Sequence, residues 1–161
     1  LWKALAAGEI DTLGTDHCSF HFHGQKERGL KDFTKIPNGL PGVEHRPVLM
    51  YTYGVGTGKI TKEQFCGVLS ENPAKLFGMY PRKGALMVGS DADIVVWDPE
   101  AEDVISARTQ VQNVDYTPYE GMKIKGKPVQ AFLRGTLVYR EGQVVVPGQG
   151  RYVHRGRSCS G

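Results

Sequence analysis

Cysteine is scarce: three residues in a chain of 161, Cys18, Cys66 and Cys159, odd in number and without paired spacing. A disulfide framework is therefore not expected. Long apolar runs are missing too. None approaches the ~18 residues a membrane-crossing helix needs, and no signal-peptide pattern is visible. Charge of one sign is also lacking, since 20 Lys and Arg against 17 Asp and Glu leave only +3. The excess sits toward the C-terminus, at Arg134, Arg140, Arg151, Arg155 and Arg157. A nucleic-acid binder would show a denser basic face interleaved with aromatics. Internal repeats and low-complexity tracts are absent. The expectation is a reduced, cytoplasmic protein that needs neither nucleic acid nor membrane as a partner.

What is present is a globular composition, 40% hydrophobic and 23% charged, with room for one domain or a domain plus a tail. Glycine stands out: 21 residues, about 13% against a usual ~7%. With nine prolines, that predicts many turns and short elements rather than a helix bundle. The chain opens on Leu-Trp-Lys, which is expected of a piece of something longer.

Residues 1–8 have helical apolar spacing and stop at Gly8. Residues 10–13 then read as a short strand running into a loop dense with polar groups. Helix, strand and loaded loop is the rhythm of an α/β protein, whose chemistry gathers beyond strand carboxyl ends. Asp16 stands there. Residues 24–47 form a long Gly/Pro-rich loop of the sort that often carries function, and a helix begins near 48. Thr61 with Gln64 fits a capping box. Asn72-Pro73 fits the start of a second helix, ended by Gly78. The period changes near residue 82. "ALMVGSDADIVVWDP" reads as two short strands around a Gly-Ser-Asp turn, closed by Pro99. Further strands are predicted at 123–124, 129–135 and 136–146, the last with a Glu-Gly hairpin.

The densest chemistry is Asp16, His17, Cys18, His21 and His23, five possible metal ligands in eight residues. Structural zinc sites usually draw on two separated pairs, and neighbours along one extended stretch point opposite ways. The pattern favours Asp16 alone donating to a metal centre completed elsewhere. "GVGTGK" at 54–59 fails as a phosphate loop. Tyr53 stands where its first glycine belongs, and Ile60 where the magnesium-holding Ser or Thr belongs. Cys18 as a nucleophile has nothing in the sequence to depress its pKa. Cys66, Trp97 and Tyr139 read as core.

"GTDHCSF" at 14–20, "GQKERGLKDFTKIPNGLPGVEHR" at 24–46 and "YPRKGALMVGSDADIVVWDP" at 80–99 resemble the C-terminal part of the dihydropyrimidinase/hydantoinase family of amidohydrolases. The resemblance covers nearly the whole chain. It implies an α/β architecture: the end of a metal-dependent (β/α)8 barrel with the C-terminal share of a small β-sandwich. Residues 1–82 would hold the last barrel strand, the substrate loop and helices, 83–145 the sandwich strands, and 146–161 a basic tail for subunit contact.

The implied activity is zinc-dependent ring opening of dihydropyrimidines or 5-substituted hydantoins to N-carbamoyl amino acids. The parent chain would be a homotetramer with two zincs per subunit. By resemblance Asp16 is both a zinc ligand and the catalytic proton carrier, and Asn38 of "IPNG" binds the substrate's imide edge. "SFHFHG" and His45 depart from the family's usual residues, so His21 and His23 receive no role. The remaining metal ligands, the carboxylated lysine among them, would lie upstream, so the piece alone is expected to be inactive. Two other readings compete. A scaffold similar to the collapsin response mediator proteins would lack an aspartate at position 16. Another cyclic amidohydrolase, an allantoinase or dihydroorotase, would not carry "DFTKIPNG".

Overall fold

In the computed structural model, residues 1–158 are described; Cys159, expected to be unpaired, and the last residues of the tail lie outside the described residues. The chain opens with α1 (Trp2–Ala6). Its final carbonyls are taken by the N–H groups of Ala7, Gly8 and Glu9 at 2.9–3.1 Å. Gly8 makes this possible by turning left-handed at φ +75°. Residues 10–13 do not join a ladder, against expectation. No strand lies beside them among the described residues. Instead Leu13 donates to the Val68 carbonyl at 3.2 Å and accepts from Arg46 Nη1 at 2.8 Å.

Helix α2 (Arg46–Met50) carries Pro47 in its first turn, where a missing N–H costs nothing. It runs on into a π-turn at Tyr51–Val55. Helix α3 (Lys62–Cys66) begins with the predicted capping box. Gln64 N–H donates to Thr61 Oγ1 at 3.2 Å and Thr61 N–H to Gln64 Oε1 at 2.9 Å. The sequence suggests a fresh helix at Asn72-Pro73. The structure instead carries one rod through a π-turn (Gly67–Glu71) into α4 (Asn72–Leu76). The wider turn moves the bonding pattern to i−5, so a proline without an N–H fits inside the rod. Asn72 is itself helical, and its side chain donates to the Asp11 carbonyl at 2.9 Å rather than capping. Cys66, expected in the core, is exposed on this rod.

Four antiparallel strands follow in the order β1-β2-β3-β4. Only one strand forms from the 85–99 stretch, where two are predicted. Leu86 and Val88 are solvent-exposed, Val88 in a turn. β1 (Ile94–Val104) passes straight through Pro99. The register shifts between Asp98 and Glu102, a bulge in which a residue lacking an N–H is tolerated. The predicted pieces at 123–124 and 129–135 merge into β2 (Lys123–Leu133). β3 (Thr136–Arg140) and β4 (Gln143–Val144) complete the sheet. Both hairpins place two successive residues at positive φ, Arg134-Gly135 and the predicted Glu141-Gly142, as tight two-residue hairpins require.

The core has two centres. Leu5, Ile60 and Val68 form one under the helices, and Val48, Ile105 and Ile124 form the other between α2 and the sheet. Tyr51, Phe65 and Trp97 join them, their ring centroids 5.0–5.6 Å apart. Trp97 and Tyr139 are half-buried. Lys83, beyond α4, pairs with Asp91 at 2.9 Å and with Asp93, at the entry to β1. Among the described residues no helix is long and apolar enough to cross a membrane.

Candidate active site

Asp16 is exposed and backbone-strained, with φ at +47°. A non-glycine residue in the left-handed region is uncommon, and such strain gathers at functional sites. Its carboxylate has no hydrogen-bond partner among the described residues, so both oxygens are open to a ligand.

Asp16 is followed by the point where two loops join. His17 pairs with Leu40 in a parallel bridge, and Cys18 N–H donates to the Leu40 carbonyl at 3.3 Å. His17 Nδ1 accepts from Gly42 N–H at 3.1 Å and Val43 N–H at 3.3 Å. Gly39 makes the approach possible. At φ +124°, a Cβ there would stand 2.2 Å from the Cys18 carbonyl oxygen. The "IPNG" loop is thus laid against "DHC", which brings Asn38 and Asp16 to one edge of the molecule. Lys26 Nζ holds the Pro37 carbonyl at 2.8 Å, fixing the peptide that enters Asn38. Asn38 is exposed, and neither its N–H nor its C=O has a partner among the described residues. One donor and one acceptor side by side are what a cyclic –NH–CO– edge would pair with.

The remaining ligand-type residues of the stretch turn elsewhere. His23 Nδ1 faces Glu27 at 3.4 Å, and His21 faces Asp115 at 3.7 Å. Among the described residues, no group of three or more His, Cys, Asp or Glu is arranged to hold a metal. What this stretch offers a metal is one hard, unpaired carboxylate, Asp16, which fits a single oxygen ligand of a divalent ion.

Three anchors carry no sequence signal of their own. Asp115 accepts from the N–H groups of Phe22 at 2.6 Å and His23 at 3.0 Å, and the Phe22 bond leads in holding its carboxyl below the ordinary carboxylate range. Glu44 accepts from Val111 and Gln112 N–H at 2.8–2.9 Å. His45 is buried, with Nδ1 3.3 Å from Thr117 Oγ1 and its ring edge-on to Tyr119. Each is long-range, 67 or more residues from its partner, and a spacing rule cannot reach that far. Together they fasten the 106–121 loop behind the substrate-loop candidate. A cavity of about 540 Å³ lined by Glu44, Val48, Ile105 and Lys127 includes neither Asp16 nor Asn38. The chemistry, rather than the hollow, marks the site.

Comparison with known proteins follows the same lines. The model of the Amidohydrolase family matches residues 1–138. The D-hydantoinase of Geobacillus stearothermophilus is 52% identical over 158 residues, which cover 98% of this chain and 34% of that protein. The dihydropyrimidinase of Rattus norvegicus is 46% identical over 156 residues, 96% of this chain and 30% of that one. Among solved structures, a D-hydantoinase superposes with a TM-score of 0.93 at 48% identity, over 98% of this chain and 34% of its own. The dihydropyrimidinase of Brevibacillus agri NCHU1002 gives 0.87 at 50% identity, over 89% and 31%. The chain thus spans about a third of the length of the curated relatives it matches. On residue pattern, local geometry and overall superposition alike, this chain belongs to the amidohydrolase family.

Proposed function

We propose that this chain is the C-terminal third of a metal-dependent cyclic amidase that opens dihydropyrimidines or 5-substituted hydantoins to N-carbamoyl amino acids. In that reading it contributes the last strand and substrate loop of a (β/α)8 barrel, and zinc is the metal. The single observation carrying the proposal is the junction of "DHC" with "IPNG". It sets an unpaired carboxylate at Asp16 beside a free backbone donor and acceptor at Asn38.

A divalent metal bound there supplies acidified water as a nucleophile at neutral pH and polarises the amide carbonyl. The chain's own residues perform the rest. Asn38 pairs its N–H and C=O with the ring's imide edge, which fixes the scissile C–N bond relative to Asp16. The Asp16 carboxylate takes the proton of water as its oxygen bonds to the ring carbonyl carbon. It returns that proton to the ring nitrogen as the C–N bond breaks, giving a carbamoyl N–H and a carboxylic acid whose own proton is then released to solvent. Asp16's strained backbone keeps the carboxylate aimed without recruiting a neighbouring donor that would neutralise it.

The test is Asp16→Asn in the complete protein, assayed with dihydrouracil and hydantoin. Loss of ring opening by ~10³-fold or more, a barrier increase of about 4 kcal/mol, is expected when a proton carrier and metal ligand is removed. Turnover retained within tenfold of the parent, on the order of 1.4 kcal/mol, would contradict the role.

A further inference from the structure

We propose that His17 is a positioning residue, the clamp whose unprotonated Nδ1 locks the Asn38 loop onto the Asp16 loop. Nδ1 is the common acceptor for two consecutive backbone N–H groups, Gly42 at 3.1 Å and Val43 at 3.3 Å. An imidazole nitrogen that accepts cannot carry a proton, so the ring's hydrogen resides on Nε2. Gly42 is buried and Val43 follows it at the turn leading into the segment before α2. The clamp therefore acts four and five residues beyond Asn38, on a loop whose other link to "DHC" is the backbone pairing at Leu40.

The pairing at Leu40 and the fully buried Pro41 ring fix the first half of the 39–43 turn, while the two N–H groups that follow, at Gly42 and Val43, are held by His17. With His17 in place, the loop that presents the Asn38 backbone is held at the height of the Asp16 carboxylate. The consequence is specific. Loss of the clamp impairs capture of the ring edge, which Asn38 performs, and spares the proton transfer, which Asp16 performs. This deepens the hydrolase reading and rests on it for its kinetic arm.

The discriminating variants are His17→Ala, His17→Gln and His17→Asn in the complete protein. Asparagine places Oδ1 near the position of Nδ1, whereas glutamine carries its oxygen one bond too far and alanine removes it. We expect KM for dihydrouracil to rise about tenfold in the Ala and Gln variants, the loss of two shared hydrogen bonds, with kcat within about threefold. The Asn variant should stay within about threefold of the parent in both constants. Hydrogen exchange of residues 38–43 gives a readout independent of activity. It should quicken in His17→Ala and return to the parent rate in His17→Asn. An Asn variant as impaired as Ala, or unchanged exchange across 38–43 in His17→Ala, overturns the clamp. A parent protein that does not open cyclic amides would refute the hydrolase reading while the exchange experiment still decides the clamp.

Discussion

At the scale of single residues, two side chains show how burial and strain divide the labour. Asp16 is strained and exposed, and so is available for chemistry, whereas His45 is buried and serves the loop behind it. Burial pushes the His45 imidazole below its ordinary pKa, with the nearby Glu44 and Glu120 carboxylates pulling weakly the other way. Thr117 Oγ1 and the Tyr119 ring complete its surroundings. The folded state therefore binds fewer protons at His45 than the unfolded chain does. The stability it contributes is complete above the unfolded value near pH 6.5 and is lost as pH falls through the folded value. Asp91, Asp103, Asp115 and Glu120, all held below their ordinary values by hydrogen bonds, add a second loss at lower pH, below about 4. Thermal melting followed from about pH 7.5 to 3 should show both phases. His45→Gln should flatten the upper phase and leave the lower one. An upper phase unchanged in the variant would assign it to another group.

At the scale of elements, short-range chemistry was legible in the residues and long-range bookkeeping was not. The capping box at Thr61, the stop at Gly8 and the Glu141-Gly142 hairpin each rest on atoms within five residues of one another, and each formed. Where the structure departs from these short-range patterns, the cause is different. Asn72-Pro73 reads as an N-cap with proline at the first helical position, but a π-turn lets the rod run through both residues. Pro99 reads as a strand end, but a bulge provides a place where no donor is needed. In the candidate site, the roles assigned to Asp16 and Asn38 come from family resemblance, whereas the contacts of His17, Asp115 and Glu44 depend on where distant loops lie. Gly126 illustrates the same limit. It lies in the gap between the strands predicted at 123–124 and 129–135, yet it sits inside β2 at φ +87° with its missing Cβ 2.4 Å from the Tyr51 ring. Gly126→Ala should push Tyr51 out of the aromatic trio that joins both core centres, costing about 2–3 kcal/mol through strain and overpacking. Thr61→Ala, which only removes a cap, should cost about 1 kcal/mol. Denaturant melts that ranked the two in the opposite order would remove Gly126 from its place as the keystone between helices and sheet.

At the scale of the whole molecule, the tail beyond residue 145 has more to offer than its own chain uses. It is tethered at two points: Arg134 donates to the Gln149 carbonyl, and Gly156 N–H to the Gly78 carbonyl at 2.7 Å. At the second point a Cβ on Gly78 would stand 2.3 Å from the Gly156 oxygen, so the closeness depends on glycine. Between the tethers Tyr152 is 79% exposed, edge-on to His154 at 4.9 Å, and Arg151 and Arg155 are exposed beside it. Exposed aromatic and arginine side chains on a segment tethered at both ends are the residue types that anchor protein interfaces. We propose that this tail seats on a neighbouring subunit of the complete protein, in line with a tetramer. Truncation after Gly148 should then lower the mass seen by light scattering. Because truncation also removes the Arg134 contact, Tyr152→Ala with Arg155→Ala provides the cleaner variant, leaving both backbone tethers in place. Smaller species from both changes would place the contact in those side chains. An unchanged mass in both would return the tail to the role of a strap within one chain, closing over Gly78 and the end of α4.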